Sequence, residues 1–372
     1  MKRIAIVSNL PMWEASVPYK KPTEVGYYAV WLSAVCKALK YQEEYDIHWL
    51  ILNKDVKKKS IVESRGQVFH LLPKSRMTIG LVTGYLYDTC VILDTLNRIK
   101  PDLVHTWGTE NSYSIATSHF RGTKLLSIQG LLKVCAERTR IAWFERLQAL
   151  YEPHTIKKFK HITTESPWAA ERIKEIYPAL EPMHLEYAVE DNFFSTQRIL
   201  SEAPTCLYGG NNTPVKNVAT LINVFSRPEL SHIQLLLAGV NASAYPKATG
   251  NISFLGRVNR QEMVKQMSSA WCLLHPSLAD TGPTIAKEAR VMGLPVMLTT
   301  QCGSKQYIEA GKSGFIVNPY DADAMCESIL KMTASREISE QMGKHGQEET
   351  RQKLSSETMT KELLRIYASI IQ

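Results

Sequence analysis

Residues 280–297 read DTGPTIAKEARVMGLPVM. A Gly-Pro pair opens a segment of helical spacing, and Gly293 with Pro295 closes it, the breaker pattern of a helix end. Pro283 suits the first helical position, where a missing N–H costs nothing. Ile285, Ala289 and Met292 recur at i, i+4 and i+7 and predict the buried stripe. Glu288 lies three residues after Ile285 and four before Met292, so it shares that face. A carboxylate there needs a donor partner or an opening to a cleft. Two readings stay open. Glu288 caps a neighbouring loop or pairs with a lysine, or it accepts hydrogen bonds from ligand hydroxyls, as on a ribose. The turn Thr281, Gly282, Pro283 leads to the free N–H groups of Thr284 and Ile285, an arrangement suited to a diphosphate.

Outward from this helix the chain alternates. RIAIVSN (3–9), DIHWLILN (46–53), QVFHLLP (67–73), DLVHTWG (102–108), TKLLSIQG (123–130) and HITTES (161–166) read as strands. Helical spacing marks 25–39, and a long helical stretch, 83–100, ends at Pro101. Residues 188–204 carry no clear period and read as a linker. TCLYGG (205–210), HIQLLLAGV (232–240), NISFLG (251–256), AWCLLHP (270–276), LPVMLTT (294–300) and GFIVNP (314–319) follow as further strands. Strands alternating with helices imply parallel pairing and doubly wound sheets. The expected domains are 1–195 and 196–354, with an amphipathic helix at 355–372 returning to the first domain. Two such sheets leave a cleft between them, and ligands sit beyond the carboxyl ends of their strands.

The 372 residues exceed one ordinary core, which agrees with two α/β domains. No apolar run reaches the roughly 18 residues of a spanning helix. The N-terminus reads as a first strand and lacks a signal-peptide pattern. The seven cysteines are odd in number and form no CxxC. Neither a disulfide framework nor a metal site is expected, and a cytoplasmic location fits. The net charge of +8 makes anionic partners plausible: nucleic acid, anionic lipid or phosphorylated substrates. Against nucleic acid, the aromatics do not interleave with the Lys/Arg clusters as a stacking platform requires.

The string HPSLAD-TGPTIAK-EARVMGLPV resembles the signature of the GT4 family of retaining, GT-B-fold glycosyltransferases. LYGGNNTPVKNVATLINVF, HIQLLLAG, NISFLGRVNRQEMVKQMSSAWCLL and GSKQYIEAGKSGFIVNP resemble the family's following units in order, and IKPDLVHTWG resembles its KPDxxH strand. The likeness is dense over 200–320 and looser over 1–190. The forms WGTE, SIQG and GPT-xxx-E resemble a subgroup building capsule, O-antigen or exopolysaccharide. The resemblance implies a GT-B fold of two Rossmann-like domains and an interdomain cleft. It implies transfer of a sugar from a nucleotide diphosphate, UDP by family frequency, to a saccharide or polyprenyl-linked saccharide acceptor. The anomeric configuration is kept, and neither metal nor cofactor is needed.

By that likeness Glu288 holds the ribose hydroxyls and Asp280 sits by the donor sugar. Asp280 is one CH2 shorter than the usual Glu. Lys216 neutralises the leaving diphosphate. An Arg commonly precedes it by six residues, where this chain has Gly210. The second charge is missing, comes from Arg257, or is replaced by backbone N–H groups at Gly209 and Gly210; these alternatives stay open. Gly26 resembles the glycine of the phosphate-facing N-terminal loop. Arg257 and Val258 lie where the nucleobase rests. His105 is a strand-end structural histidine or a substrate contact. Gln129 stands where many relatives carry a His, and it cannot accept a proton at neutral pH, which favours a front-face mechanism. A nucleotide-sugar epimerase on the same fold is the competing enzyme reading, and a basic nucleic-acid-binding module the non-enzyme one.

Residues 131–161 hold seven Lys/Arg against three Glu, and KDVKKK (54–59) adds another basic run. Trp143, Leu147, Leu150 and Tyr151 share one helical face. This basic amphipathic helix lies on an anionic bilayer, or its stripe packs on the first domain with its charges solvated.

Overall fold

Runs such as IAIV and LLLA bury both faces of a strand, and only a sheet covered by helices on each side accommodates them. The computed structural model describes residues 1–15, 30–109, 112–248 and 250–371. It divides into two units. The first holds the described residues up to Ala188 together with those from Ser356 onward. Its elements are β1 (Lys2–Ser8), α1 (Val30–Ala38), β2 (Tyr45–Asn53), β3 (Ser60–Ser64), β4 (Gln67–Pro73), α2 (Met77–Val82), α3 (Leu86–Ile99), β5 (Leu103–Trp107), α4 (Ser112–Ser118), β6 (Lys124–Ile128), α5 (Leu132–Arg138), α6 (Trp143–Ile156), β7 (His161–Thr164), α7 (Pro167–Ile176) and β8 (Met183–His184). The sheet order is β3-β4-β2-β1-β5-β6-β7-β8. β3 pairs antiparallel with β4, and the other described pairs of this sheet are parallel.

The second unit runs from Val189 to Ser355. It comprises α8 (Asp191–Ser195), β9 (Thr205–Gly209), α9 (Val218–Phe225), β10 (Gln234–Ala238), β11 (Ile252–Gly256), α10 (Arg260–Ser269), β12 (Cys272–His275), α11 (Thr284–Met292), β13 (Val296–Thr299), β14 (Gly314–Val317), α12 (Ala322–Met332), α13 (Arg336–Lys344) and α14 (Gln347–Lys353). Its sheet order is β11-β10-β9-β12-β13-β14, and its described pairs are parallel. The winding reverses between β9 and β12, so the loops after these two strands flank the switch point of this sheet.

The last helix, α15 (Ser356–Ile370), belongs to the first unit. Met359, Leu363, Ile366 and Tyr367 form its buried stripe and join the core that includes Leu32, Val35, Trp49 and Trp107. The Tyr367 ring stands edge-on to Tyr45 at 5.9 Å.

Three local readings of the sequence need correction. The helical stretch 83–100 begins only at Leu86, because Gly84 and Tyr85 both take positive φ. Residues 131–161 form two helices rather than one, since Thr139 and Ala142 are extended. The third concerns α11. Its burial is not confined to a stripe: Lys287, Glu288 and Arg290 are buried along with Ala286, Ala289, Val291 and Met292. Strands β12 and β13 pack against it, as do helices α8, α10 and α14, so its polar residues have no solvent to face.

Candidate functional site

The loops at the switch point are tied to each other. Asn217, at φ 57°, donates its side-chain amide to the carbonyls of Pro276 (3.1 Å) and Pro319 (3.0 Å). The Leu278 amide donates to the Val215 carbonyl at 2.8 Å. Thr299 Oγ1 donates to the Ser277 carbonyl at 2.6 Å. The strand end itself permits close approach. A Cβ at Gly209 would overlap the Ile285 side chain, and one at Gly239, φ +90°, would overlap the Gly210 carbonyl.

These ties bring Lys216 and Asp280 together across 64 residues of sequence: Nζ to Oδ2 is 2.5 Å. His275 Nε2 lies 2.9 Å from the same Oδ2 and 2.9 Å from Ser277 Oγ. The Asp280 amide donates to Gln301, and its carbonyl accepts from Gly303, which fixes the backbone beneath the carboxylate. The Asp280 side chain is 13% exposed. Burial works against its ionisation, but the Lys216 charge and the His275 contact overturn that and hold the carboxyl well below the usual carboxylate range. Burial lowers the His275 pKa, against the opposing pull of Asp280. His275 Nδ1 is buried without a hydrogen-bond partner among the described residues.

Thr281, Gly282 and Pro283 are buried, and α11 begins at Thr284 with Pro283 as its cap residue. Among the described residues, no side chain caps that helix start. Thr284 and Ile285 are half-buried there, in the first turn, whose amides lack intrahelical partners.

Glu288 lies one turn further along and is 2% exposed. Its partner is Arg260 at the start of α10, whose guanidinium contacts Glu288 Oε1 while its Nε donates to Glu190 Oε2 at 2.7 Å. The guanidinium also stacks over Phe193 at 4.4 Å. Burial raises the Glu288 pKa, and Arg260 opposes the rise. Burial disfavours the Arg260 charge too, but Glu288 and Glu190 outweigh it. The carboxylate on the buried face is therefore answered by an arginine from the preceding helix, not by a lysine or a loop. Arg257 is exposed and Val258 half-buried at the end of β11, with Val258 packed on the α11 core.

The remaining sequence-derived positions lie in the first unit or outside the described residues. Gly26 is among the latter. Gln129 is half-buried just after β6. His105 is fully buried, with Nδ1 2.8 Å from Tyr367 Oη and Nε2 2.7 Å from Ser127 Oγ. Both ring nitrogens are engaged, so His105 has none to offer a substrate and serves the core. Burial pushes its pKa down to about 3.

Sequence reasoning missed His275, Ser277, Arg260, Glu190 and Asn217. His275 had a signal, since it ends the strand five residues before Asp280. Arg260 and Glu190 had none, because their pairing is purely tertiary.

Comparison with known proteins bears on the family and the fold. Residues 189–349 match the family model of the glycosyl transferases group 1. The chain is 23% identical over 297 residues to the lipopolysaccharide core biosynthesis glycosyltransferase LpsE of Rhizobium meliloti, covering 70% of this chain and 86% of that protein. Its fold is similar to sucrose-phosphate synthase from Thermosynechococcus elongatus, with a TM-score of 0.81 and 16% identity over 99% of both chains. It is also similar to Anabaena HepE in complex with UDP and glucose, with a TM-score of 0.70 and 12% identity, covering 99% of this chain and 100% of that one. Both likenesses are of fold: two Rossmann-like parallel sheets of the GT-B type. Residues 189–349 are thus similar to the domain that the glycosyl transferases group 1 model describes.

Proposed function

We propose that this chain is a retaining glycosyltransferase of the GT4 type, moving a hexosyl group from a UDP-sugar to a hydroxyl of a saccharide or polyprenyl-linked saccharide. The product belongs to a bacterial surface polysaccharide such as capsule, O-antigen or lipopolysaccharide core. The observation that carries the reading is the Lys216–Asp280 contact of 2.5 Å beside the start of α11, which no described side chain caps. A cation, a carboxylate kept ionised and exposed amides are what a sugar joined through two phosphates requires.

In this reading Asp280 accepts hydrogen bonds from the sugar hydroxyls, and Lys216 with the amides of Thr284 and Ile285 neutralises the departing diphosphate. Glu288, oriented by Arg260, accepts from the ribose hydroxyls. The bond from the anomeric carbon to the phosphate oxygen breaks, and the acceptor oxygen bonds the same face of that carbon. The acceptor proton passes to the leaving phosphate, so neither an imidazole at position 129 nor a metal is required. Gly209 and Gly210 let the backbone approach the phosphates, and Arg257 and Val258 face the base. A polyprenyl-linked acceptor places the enzyme at the inner face of the plasma membrane, with the basic segments 131–161 and 54–59 as its contacts. Among the described residues, no helix is long and apolar enough to cross a membrane.

The test is a panel of nucleotide sugars scored for nucleotide release with and without saccharide acceptors. Acceptor-dependent release from a UDP-sugar supports the reading. Conversion of the donor without acceptor, or no turnover of any donor, defeats it.

A further inference from the structure

Seven of the large apolar side chains exposed on this protein lie on three neighbouring helices of the first unit. Helix α2 and the start of α3 present Met77, Ile79, Val82, Leu86 and Tyr87, of which Val82 is 81% and Leu86 64% exposed. Trp143 and Leu150 on α6 are 58% and 67% exposed. The helices are joined: α2 packs against both α3 and α6. Tyr151 Oη donates to the Leu81 carbonyl at 3.3 Å, and Gln148 donates to Tyr85 Oη at 3.2 Å. The apolar stripe seen in the sequence therefore divides. Its Tyr151 side holds α2 in place, and its Trp143–Leu150 side is left to solvent. Isolated exposed apolar residues are ordinary, but a group on contiguous helices marks a contact surface.

Charge says what covers it. Trp143, Arg146, Leu150, His154 and Lys157 fall within about 80° of one another on the helical wheel, and all five are exposed. No carboxylate shares this stripe. Glu145 is half-buried and turned back to accept from the Ala142 amide at 2.7 Å. Glu152 is buried, accepting from Thr109 Oγ1 and the amides of Leu132 and Lys133. The α2–α3 tip likewise has Arg76 exposed and its one acid, Asp88, fully buried. Aliphatic side chains and a tryptophan interspersed with cations suit the interface of an anionic bilayer, where indole and alkyl groups enter the headgroup boundary and Arg and Lys meet lipid phosphates.

We propose that the α2–α3 tip and the exposed face of α6 form a single membrane-docking surface for anionic phospholipid. This specifies the bilayer contact in the reading above and rests on that reading for nothing but the choice of partner. Vesicle binding needs neither donor nor acceptor, so failure here leaves the nucleotide-release test standing, and the reverse. The experiment is co-sedimentation of the whole chain with phosphatidylglycerol–phosphatidylcholine vesicles and with phosphatidylcholine vesicles alone. Two double variants are compared, Val82→Glu with Leu86→Glu and Arg146→Glu with Lys157→Glu. All four side chains are exposed, and circular dichroism checks that the fold is kept. If the apolar pair misfolds, the charge pair alone decides. The wild type should sediment with anionic vesicles and release at high salt, and each double variant should bind at least about tenfold more weakly. Three outcomes overturn the proposal: no binding to anionic vesicles, equal binding by the folded variants, or a self-association that the same substitutions abolish, which would make the occupant a second copy.

Discussion

Replacing Arg260 with Met isolates the contribution of the Glu190–Arg260–Glu288 cluster. The substitution preserves an unbranched apolar stem and its packing on Phe193, and it removes the guanidinium that contacts Glu288 Oε1. Glu190 keeps a 20% exposed side chain and some water. Glu288, at 2% exposure, keeps almost none. If it stays ionised, an uncompensated buried charge costs about 3–5 kcal/mol. If it takes up a proton instead, the cost at pH 7 follows from the 4.5 of an ordinary Glu: about 1.4 kcal/mol for each of roughly 2.5 pH units, or ~3.4 kcal/mol. The first route gives about 3–5 kcal/mol; the second gives at most ~3.4 kcal/mol, because burial already raises Glu288 above 4.5 with Arg260 in place. They differ in pH dependence. A carboxyl whose folded pKa is raised costs nothing below its unfolded pKa and progressively more above it. Protonation therefore predicts a penalty below about 1 kcal/mol at pH 5 that grows toward pH 7. The assay is denaturant unfolding of Arg260→Met at both pH values, with Glu288→Gln and the double variant completing the cycle. The double variant should recover most of the loss. A penalty under about 1 kcal/mol at pH 7, or no recovery in the double variant, would refute the assignment of Arg260 as the partner that makes Glu288 tolerable.

Lys216→Ala should lower acceptor-dependent nucleotide release at least about tenfold, roughly 1.4 kcal/mol of barrier; wild-type turnover would remove Lys216 from the site. Tyr367→Phe removes the hydroxyl 2.8 Å from His105 Nδ1 and should destabilise the first unit by about 1–3 kcal/mol in denaturant titration, with an effect below about 0.5 kcal/mol ruling that bond out as structural. Because His105 falls from 6.5 to about 3 on folding, the unfolded chain binds the extra proton below pH 6.5. Stability should then drop by about 1.4 kcal/mol per pH unit from this residue as pH falls toward 3. His105→Gln should flatten that slope in unfolding measurements between pH 6.5 and 4.5, and an unchanged slope would contradict it.

The fold class was legible because the strands of a covered parallel sheet are continuous apolar runs, and IAIV and LLLA are such runs. β3, Ser60–Ser64, was not. It is a largely exposed antiparallel edge strand, and its short alternation resembles a loop. The breakers Gly293 and Pro295 marked the end of α11 because a helix stops there for local reasons, with Gly293 at φ 80°. The environment of that helix was hidden. Periodicity assumes a helix with one wet face, and neighbours on several sides leave α11 without one. Lys216, Asp280 and Glu288 were singled out as site candidates from spacing and resemblance, and the structure pairs Lys216 with Asp280. The partner Arg260 comes from tertiary pairing, which sequence spacing does not encode, whereas His275 lies only five residues before Asp280. For His105 the sequence left a structural histidine and a substrate contact both open, and the partner of its Nδ1, Tyr367, comes from a helix 262 residues away.

The most direct test of the account is a crystal structure of the chain with UDP. The account predicts the diphosphate against Lys216 Nζ and the amides of Thr284 and Ile285, with the ribose hydroxyls within hydrogen-bond reach of Glu288. A diphosphate bound away from the loop after β12 and the start of α11, or a ribose out of reach of Glu288, would contradict it.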